Sequence, residues 1–226
     1  MNKRIIGAIG FVGLFYLSLL LGKMFLVLLA VFFMAGIYEL RNIYLKSTVK
    51  TQVIGYGIAF VLAIVSLGYL SVEHVPLIIY ITALLMLNDS LAYAVGMTLG
   101  KHKLSKISPN KTIEGSVGGL LLSPFATIAV MKIVHLLLAN VTISFIPFDF
   151  STLVNYNPFS SLFILIIVSF VIAILGQIGD LVESYFKRSA EIKDSGFIVY
   201  GHGGILDRID SWIFPMILMT IIMLFI

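Results

Sequence analysis

Long apolar runs, broken by short polar intervals, set the pattern of this chain. Residues 5–38 carry no charge apart from Lys23. That run exceeds the roughly 20 residues a membrane-crossing helix needs, so the Gly22-Lys23 break predicts a tight hairpin of two helices, at about 5–21 and 24–39. The same reasoning predicts further spans at about 52–70, 76–96, 116–138, 160–182 and 211–226. Residues 140–158 contain Pro147, Asp149 and Pro158 but no Lys or Arg, and read as a loop. The two most polar intervals are 97–115 and 183–210. The expected fold class is therefore all-α: a polytopic integral membrane helical bundle of about seven transmembrane helices.

Composition agrees with the pattern. Of 226 residues, 60% are hydrophobic, and mean hydropathy is +1.09, well beyond the apolar usage of soluble domains. Seven spans leave no room for a separate soluble domain, so a single membrane domain, 1–226, is expected. Its N-terminal spans occupy 5–96, and 97–226, which holds both polar intervals, is expected to carry whatever chemistry the protein performs. The first run resembles a signal peptide, yet no small-residue cleavage site follows it, and it is read as a retained first helix.

Charge then supplies an orientation. With the N-terminus cytoplasmic, every one of the fifteen Lys and Arg residues except Lys23 and Lys132 falls on the cytoplasmic side, as the positive-inside rule requires. The C-terminus faces outward, and loops 97–115 and 183–210 share the cytoplasmic side, where nucleotides are available. This distribution explains the net charge of +4 without nucleic acid, which is not expected as a partner. The absence of cysteine excludes disulfides, thiolate metal sites and a cysteine nucleophile.

Orientation accounts for bases but not for acids. Asp180, Glu183 and Lys187 follow at i, i+3, i+7, with Ser184 adjoining, which places them on one helical face if the sixth span continues past the interface. Asp207 and Asp210 repeat the i, i+3 spacing at the start of the seventh span. Two helix ends presenting carboxylates toward a common point could hold a hard cation such as Mg²⁺, which takes one or two carboxylates plus substrate phosphates. Gly201, Gly203 and Gly204 flank His202 and permit close backbone approach to a ligand. The bland alternative is a structural salt-bridge network, but acids near lipid more often mark function.

A second constellation runs from Asp89 to Gly119. Asp89 sits inside a span, where orientation cannot explain it. Gly96 and Gly100, with Ala92 and Ala94 nearby, read as a close helix-packing surface. In the following Ser-Pro-Asn-Lys-Thr-Ile-Glu-Gly segment, Ser108-Pro109 breaks any helix, and Lys111 offers a point charge. Thr112 and Glu114 could begin the next helix, with Thr112 either capping it or touching a ligand.

The run S-x-x-K-R-x-x-x-x-K-D-x-G-x-x-x-x-G-H-G-G-x-L-D-R-x-D, from Ser184 to Asp210, resembles the signature of the phosphatidate cytidylyltransferase (CDP-diacylglycerol synthase) family. Segments D-x-x-A-Y-x-x-G at Asp89, S-P-x-K-T-x-E-G at Ser108 and G-Q-x-G-D-L-x-E-S at Gly176 resemble its other motifs, in the same order. Tyr200 stands where the family commonly has proline, and Ile113 where it commonly has an aromatic residue. The N-terminal third is short compared with many members.

The resemblance implies a multi-pass enzyme of the bacterial inner membrane. It would join CTP and phosphatidate into CDP-diacylglycerol and pyrophosphate with Mg²⁺, leaving room for a second cation and for a homodimer. Asp180, Asp207 and Asp210 are the implied metal ligands, with Asp89 and Glu183 as further candidates. Lys187, Arg188, Lys193, Arg208 and Lys111 are expected to neutralise phosphates, Asp194 and Glu114 to orient neighbouring groups, and His202 to contact phosphate or leaving group. Ser108, Thr112, Ser184, Gly203 and Gly204 complete the expected substrate contacts. The alternatives are a cation-binding transporter or channel, which would spread its acids through the membrane depth, and another CDP-lipid or lipid-phosphate transferase. The D-G-x-x-A-R pattern of CDP-alcohol phosphotransferases is absent.

Overall fold

The computed structural model describes residues 3–138, 161–197 and 203–226. Each of the seven predicted runs contains a helix: α1 (Lys3–Leu20), α2 (Lys23–Lys46), α3 (Lys50–Glu73), α4 (Val75–Leu99), α5 (Ile113–Leu138), α6 (Leu162–Ser189), and a last segment. That last segment starts as α7 (Leu206–Ile209), tightens into a 3-10 turn over Asp210–Trp212 and continues as α8 (Ile213–Phe225). Among the described residues, six segments are long and apolar enough to cross a membrane, and Ile9–Leu20 is a shorter apolar helix. The chain is a multi-pass membrane protein. Helices are the only open-chain solution here, because each satisfies its backbone N–H and C=O groups internally where lipid offers no partner.

Two boundaries differ from expectation. α6 runs to Ser189 rather than to about 182, because Glu183 and Lys187 form an i, i+4 ion pair that carries the helix beyond its apolar stretch. The final segment begins at Leu206 rather than about 211, since Leu206 and Ile209 are buried on one side of a single helical turn. The expected hairpin break is at Gly22, whose φ of +62° suits glycine. The loop expected at 140–158 lies outside the described residues.

The chain divides into two compact units, Met1–Glu73 with Ile178–Ile226 and His74–Gln177. α6 contributes its residues through Gln177 to the second and the rest to the first. In the first unit, α1, α2, α3 and α8 pack around Phe15, Phe25, Phe60, Leu67 and Met216, all essentially inaccessible. Phe15 lies edge-on to Phe25 at 5.3 Å and tilted over Trp212 at 4.7 Å. Gly36 of α2 admits the Phe60 ring of α3 so closely that a Cβ would stand 2.2 Å from it.

The second unit is built on a glycine seam between α4 and α5. A Cβ on Gly115 would meet the Ala92 carbonyl at 2.5 Å, and one on Gly119 the Asn88 carbonyl at 2.8 Å. Gly96 and Gly100 face Thr112, so the expected packing role of these glycines holds. Polar glue joins α6: Gln177 Nε2 donates to Asn88 Oδ1 and to the Ser116 carbonyl, both at 3.1 Å, and Ser116 Oγ donates to Gln177 Oε1.

Candidate active site

The end of α6 carries the chemistry of the first unit. Glu183 is fully buried, and among the described residues neither carboxylate oxygen has a hydrogen-bond partner beyond its ion pair with Lys187. An uncompensated charge there would be costly, and the Lys187 ammonium compensates it. The same ammonium donates to Asp207 Oδ1 at 2.6 Å. Lys187 therefore bridges an acid of α6 and an acid of α7. Ser184 Oγ lies 3.4 Å from Asp180 Oδ1 one turn earlier.

Local geometry returns the chain to this point. Glu191 adopts a left-handed φ of +56°, and the Ile192 N–H closes on the Lys187 carbonyl at 2.9 Å, a helix stop that satisfies terminal carbonyls. The chain then reaches Ser195, whose N–H donates to Asp207 Oδ2 at 2.9 Å. From the other side the Gly204 N–H donates to the same oxygen at 2.7 Å. Gly203 has φ +86°, and a Cβ on it would lie 2.4 Å from that oxygen. Only glycine lets the backbone wrap the carboxylate this tightly. Ser195 Oγ lies 3.0 Å from it as well, so Asp207 is held from four directions.

Asp210 reaches the same face by another close approach. A Cβ on Gly179 would stand 2.3 Å from the Asp210 carbonyl, so the glycine next to Asp180 lets α6 touch the 3-10 turn. Asp210 Oδ1 accepts from the Ser211 N–H at 2.7 Å. Tyr56 of α3 packs its ring 5.1 Å from Phe186. Its hydroxyl is buried, has no hydrogen-bond partner among the described residues, and lies within electrostatic reach of Glu183, Asp210 and Asp207.

The donor chemistry of this face suits a hard cation. Every candidate ligand is a carboxylate oxygen, and two acids already draw an ammonium between them. Among the described residues no three acids converge as a ready metal cage. The residues present fit a cation held by one or two carboxylates with its remaining positions left to waters and substrate oxygens, which is the usual habit of Mg²⁺.

In the second unit the predicted residues serve local order. Thr112 Oγ1 accepts from the Gly115 N–H at 3.0 Å and caps the start of α5. Glu114 accepts from the N–H groups of Lys101 and His102 at 3.1 and 3.2 Å, and its other oxygen lies 2.6 Å from His102 Nδ1. The interval between α4 and α5 is thereby folded back on itself, with the Leu104 N–H on the Lys111 carbonyl at 2.8 Å and the Ser108 N–H on Ser105 Oγ at 3.1 Å. Lys111 acts electrostatically on Asp89.

The cytidylyltransferase family model matches residues 58–226, a segment that contains all the acids gathered at α6 and α7. The chain belongs to this family. It is 43% identical over 148 residues to the phosphatidate cytidylyltransferase of Staphylococcus haemolyticus, a match covering 65% of this chain and 48% of that protein. The protein of the same name from Staphylococcus aureus (strain COL) is 42% identical over 153 residues, 67% of this chain and 50% of its own. The chain thus spans about half the length of the curated relatives it matches.

Within the family segment, the structure brings together Glu183, Lys187, Gly203, Gly204 and Asp207, with Asp180 and Asp210 on the adjoining part of the face. Arg188 is exposed and donates to the Ile192 carbonyl at 3.3 Å. Lys193 and Asp194 are exposed on the turn after α6, and Arg208 is half-buried on α7. His202 and Tyr200 lie outside the described residues. Three residues escaped the motif reading. Glu39, Tyr56 and Ser195 all stand at this centre, and Glu39 and Tyr56 precede the family match, which begins at residue 58. The signal for Glu39 was present: it is an acid at the end of an apolar span, the feature that singled out Asp89 and Asp180.

Proposed function

We propose that the protein is a phosphatidate cytidylyltransferase of the bacterial inner membrane, with loops 97–115 and 183–210 cytoplasmic. The observation that carries this reading is the fixed Lys187–Asp207 pair beside Glu183, inside the segment matched to the cytidylyltransferase family. A phosphatidate oxygen attacks the α-phosphorus of CTP in line. The new O–P bond forms as the bond to the β-phosphate oxygen breaks, and pyrophosphate leaves with its electron pair. The attacking phosphomonoester is already anionic at neutral pH, so positioning and charge neutralisation carry most of the rate.

The chain's own groups divide this work. Lys187, Arg188, Lys193 and Arg208 meet phosphate charge. Asp180, Asp207 and Asp210 are the residues from which we draw the one or two carboxylates that would hold Mg²⁺, an ion that would supply charge neutralisation at the phosphate oxygens. Lys187 keeps Asp207 and the buried Glu183 compensated while the site awaits substrate.

Membranes containing the protein, supplied with CTP, phosphatidate and Mg²⁺, are expected to form a CDP-lipid and pyrophosphate in equal amounts. Formation of neither by well-inserted protein overturns the assignment.

A further inference from the structure

Glu39 lies on α2, in the part of the chain that precedes the family match, and it is completely buried. A carboxylate buried in an apolar bundle is retained at a cost unless donors surround it. Donors do. Its Oε1 accepts the Ile205 N–H at 3.0 Å, and its Oε2 accepts the Leu206 N–H at 2.9 Å and lies 2.8 Å from Ser195 Oγ. Two glycines make the approach possible: a Cβ on Gly196 would stand 2.5 Å from Glu39 Oε1, and one on Gly204 2.4 Å from both oxygens.

These bonds fall on the backbone that holds Asp207. Ser195 and Gly204 give their N–H groups to Asp207 Oδ2. Glu39 grips the side chain of the first and the two peptide groups after the second. Ser195 Oγ stands between Glu39 and Asp207, and its single proton serves one carboxylate at a time. The two acids thus face each other across one short piece of backbone, one on each side.

We propose that Glu39 is a positioning residue. By fixing Ser195 and the Gly204–Leu206 backbone it sets the orientation in which Asp207 meets Lys187 and the reacting phosphates. The proposal rests on Asp207 belonging to the reaction site. An N-terminal helix outside the matched segment therefore completes the geometry of the matched one.

The isosteric Glu39→Gln variant tests this, because it keeps the volume but turns an amide N–H₂ toward backbone donors. With purified protein in detergent, without nucleotide or metal, amide hydrogen exchange at Ser195, Gly204, Ile205 and Leu206 is expected to rise at least about tenfold, with core amides of α3 and α8 unchanged. In membranes, turnover is expected to fall about 10- to 100-fold with the KM for CTP within about twofold of wild type, the size typical for groups that orient a ligand from behind. Glu39→Asp is expected to recover part of the turnover. Ser195→Ala, which leaves both backbone bonds to Glu39 in place, is expected to lower turnover by a smaller factor, and it carries the test if the Gln variant does not accumulate.

Unchanged exchange in Glu39→Gln overturns the proposal. So does raised exchange with wild-type turnover while Asp207→Asn is inactive, and so does a Ser195→Ala variant with wild-type turnover if the Gln variant is absent. An active Asp207→Asn removes the site reading itself, a failure distinct from the other three.

Discussion

Two polar intervals of similar sequence character are built on opposite principles. Between α4 and α5, Thr112 and Glu114 find their partners within thirteen residues of themselves. That interval is a self-contained cap and return, set down on a glycine seam. Around α6 and α7, Asp207 is held by partners 3, 12 and 20 positions away, but the backbone beside it is gripped by Glu39 from 156 to 167 positions away. Local closure orders the first interval at little entropic cost, whereas the second needs α2 docked against it before Glu39 is satisfied. A site whose carboxylates are oriented by distant elements is pre-organised by the fold. One capped by its neighbours is organised by its own sequence.

The largest expected effect strikes the distant construction. Asp207→Asn removes the negative charge and turns one of the two accepting oxygens into an N–H₂ donor, and is expected to lower CDP-lipid formation by at least about 100-fold, while the protein still partitions into the membrane fraction. Turnover within about tenfold of wild type in this variant removes Asp207 from the chemistry. Gly203→Ala comes next. The left-handed φ and the 2.4 Å approach to Asp207 together cost about 1–3 kcal/mol, seen as a lower thermal midpoint in detergent and reduced turnover.

In the second unit the seam matters more than the cap. Gly115→Ala drives a Cβ to 2.5 Å from the Ala92 carbonyl, an overpacking expected to cost about 1–3 kcal/mol and to be read as loss of the folded fraction on heating. Gln177→Leu deletes the bonds to Asn88 and Ser116 and is expected to cost about 0.6–2 kcal/mol in the same measurement. Smallest is Glu114→Gln, whose partner His102 is 73% exposed. Solvent competes there, and the expected change is only faster proteolysis between residues 101 and 112. A larger stability loss from Glu114→Gln than from Gly115→Ala would erase the contrast between the two intervals.

The polar constellations were partly legible in advance. The i, i+3, i+7 spacing on α6 and the Asp207/Asp210 pair could be read because a helix converts sequence spacing into a shared face. For Thr112 the spacing offered a cap and a ligand contact alike, and the bond from the Gly115 N–H shows the cap. The bridging of Lys187 to Asp207 was not legible, because twenty residues and a left-handed turn at Glu191 intervene. Nor was the hold on Asp207, half of which comes from the backbone N–H groups of Ser195 and Gly204, donors that carry no sequence signature.

What the sequence alone determined is the membrane-crossing helical class, the number of apolar runs and the positions of the acids along them. In lipid the backbone must bond to itself, so apolar length translates directly into helices. What only the tertiary structure decided is which acids share donors. Hydrogen-bond partners of a buried carboxylate are chosen by three-dimensional proximity, and Glu39, an isolated acid in an apolar helix, acquired its meaning only when the fold laid Ser195, Ile205 and Leu206 against it.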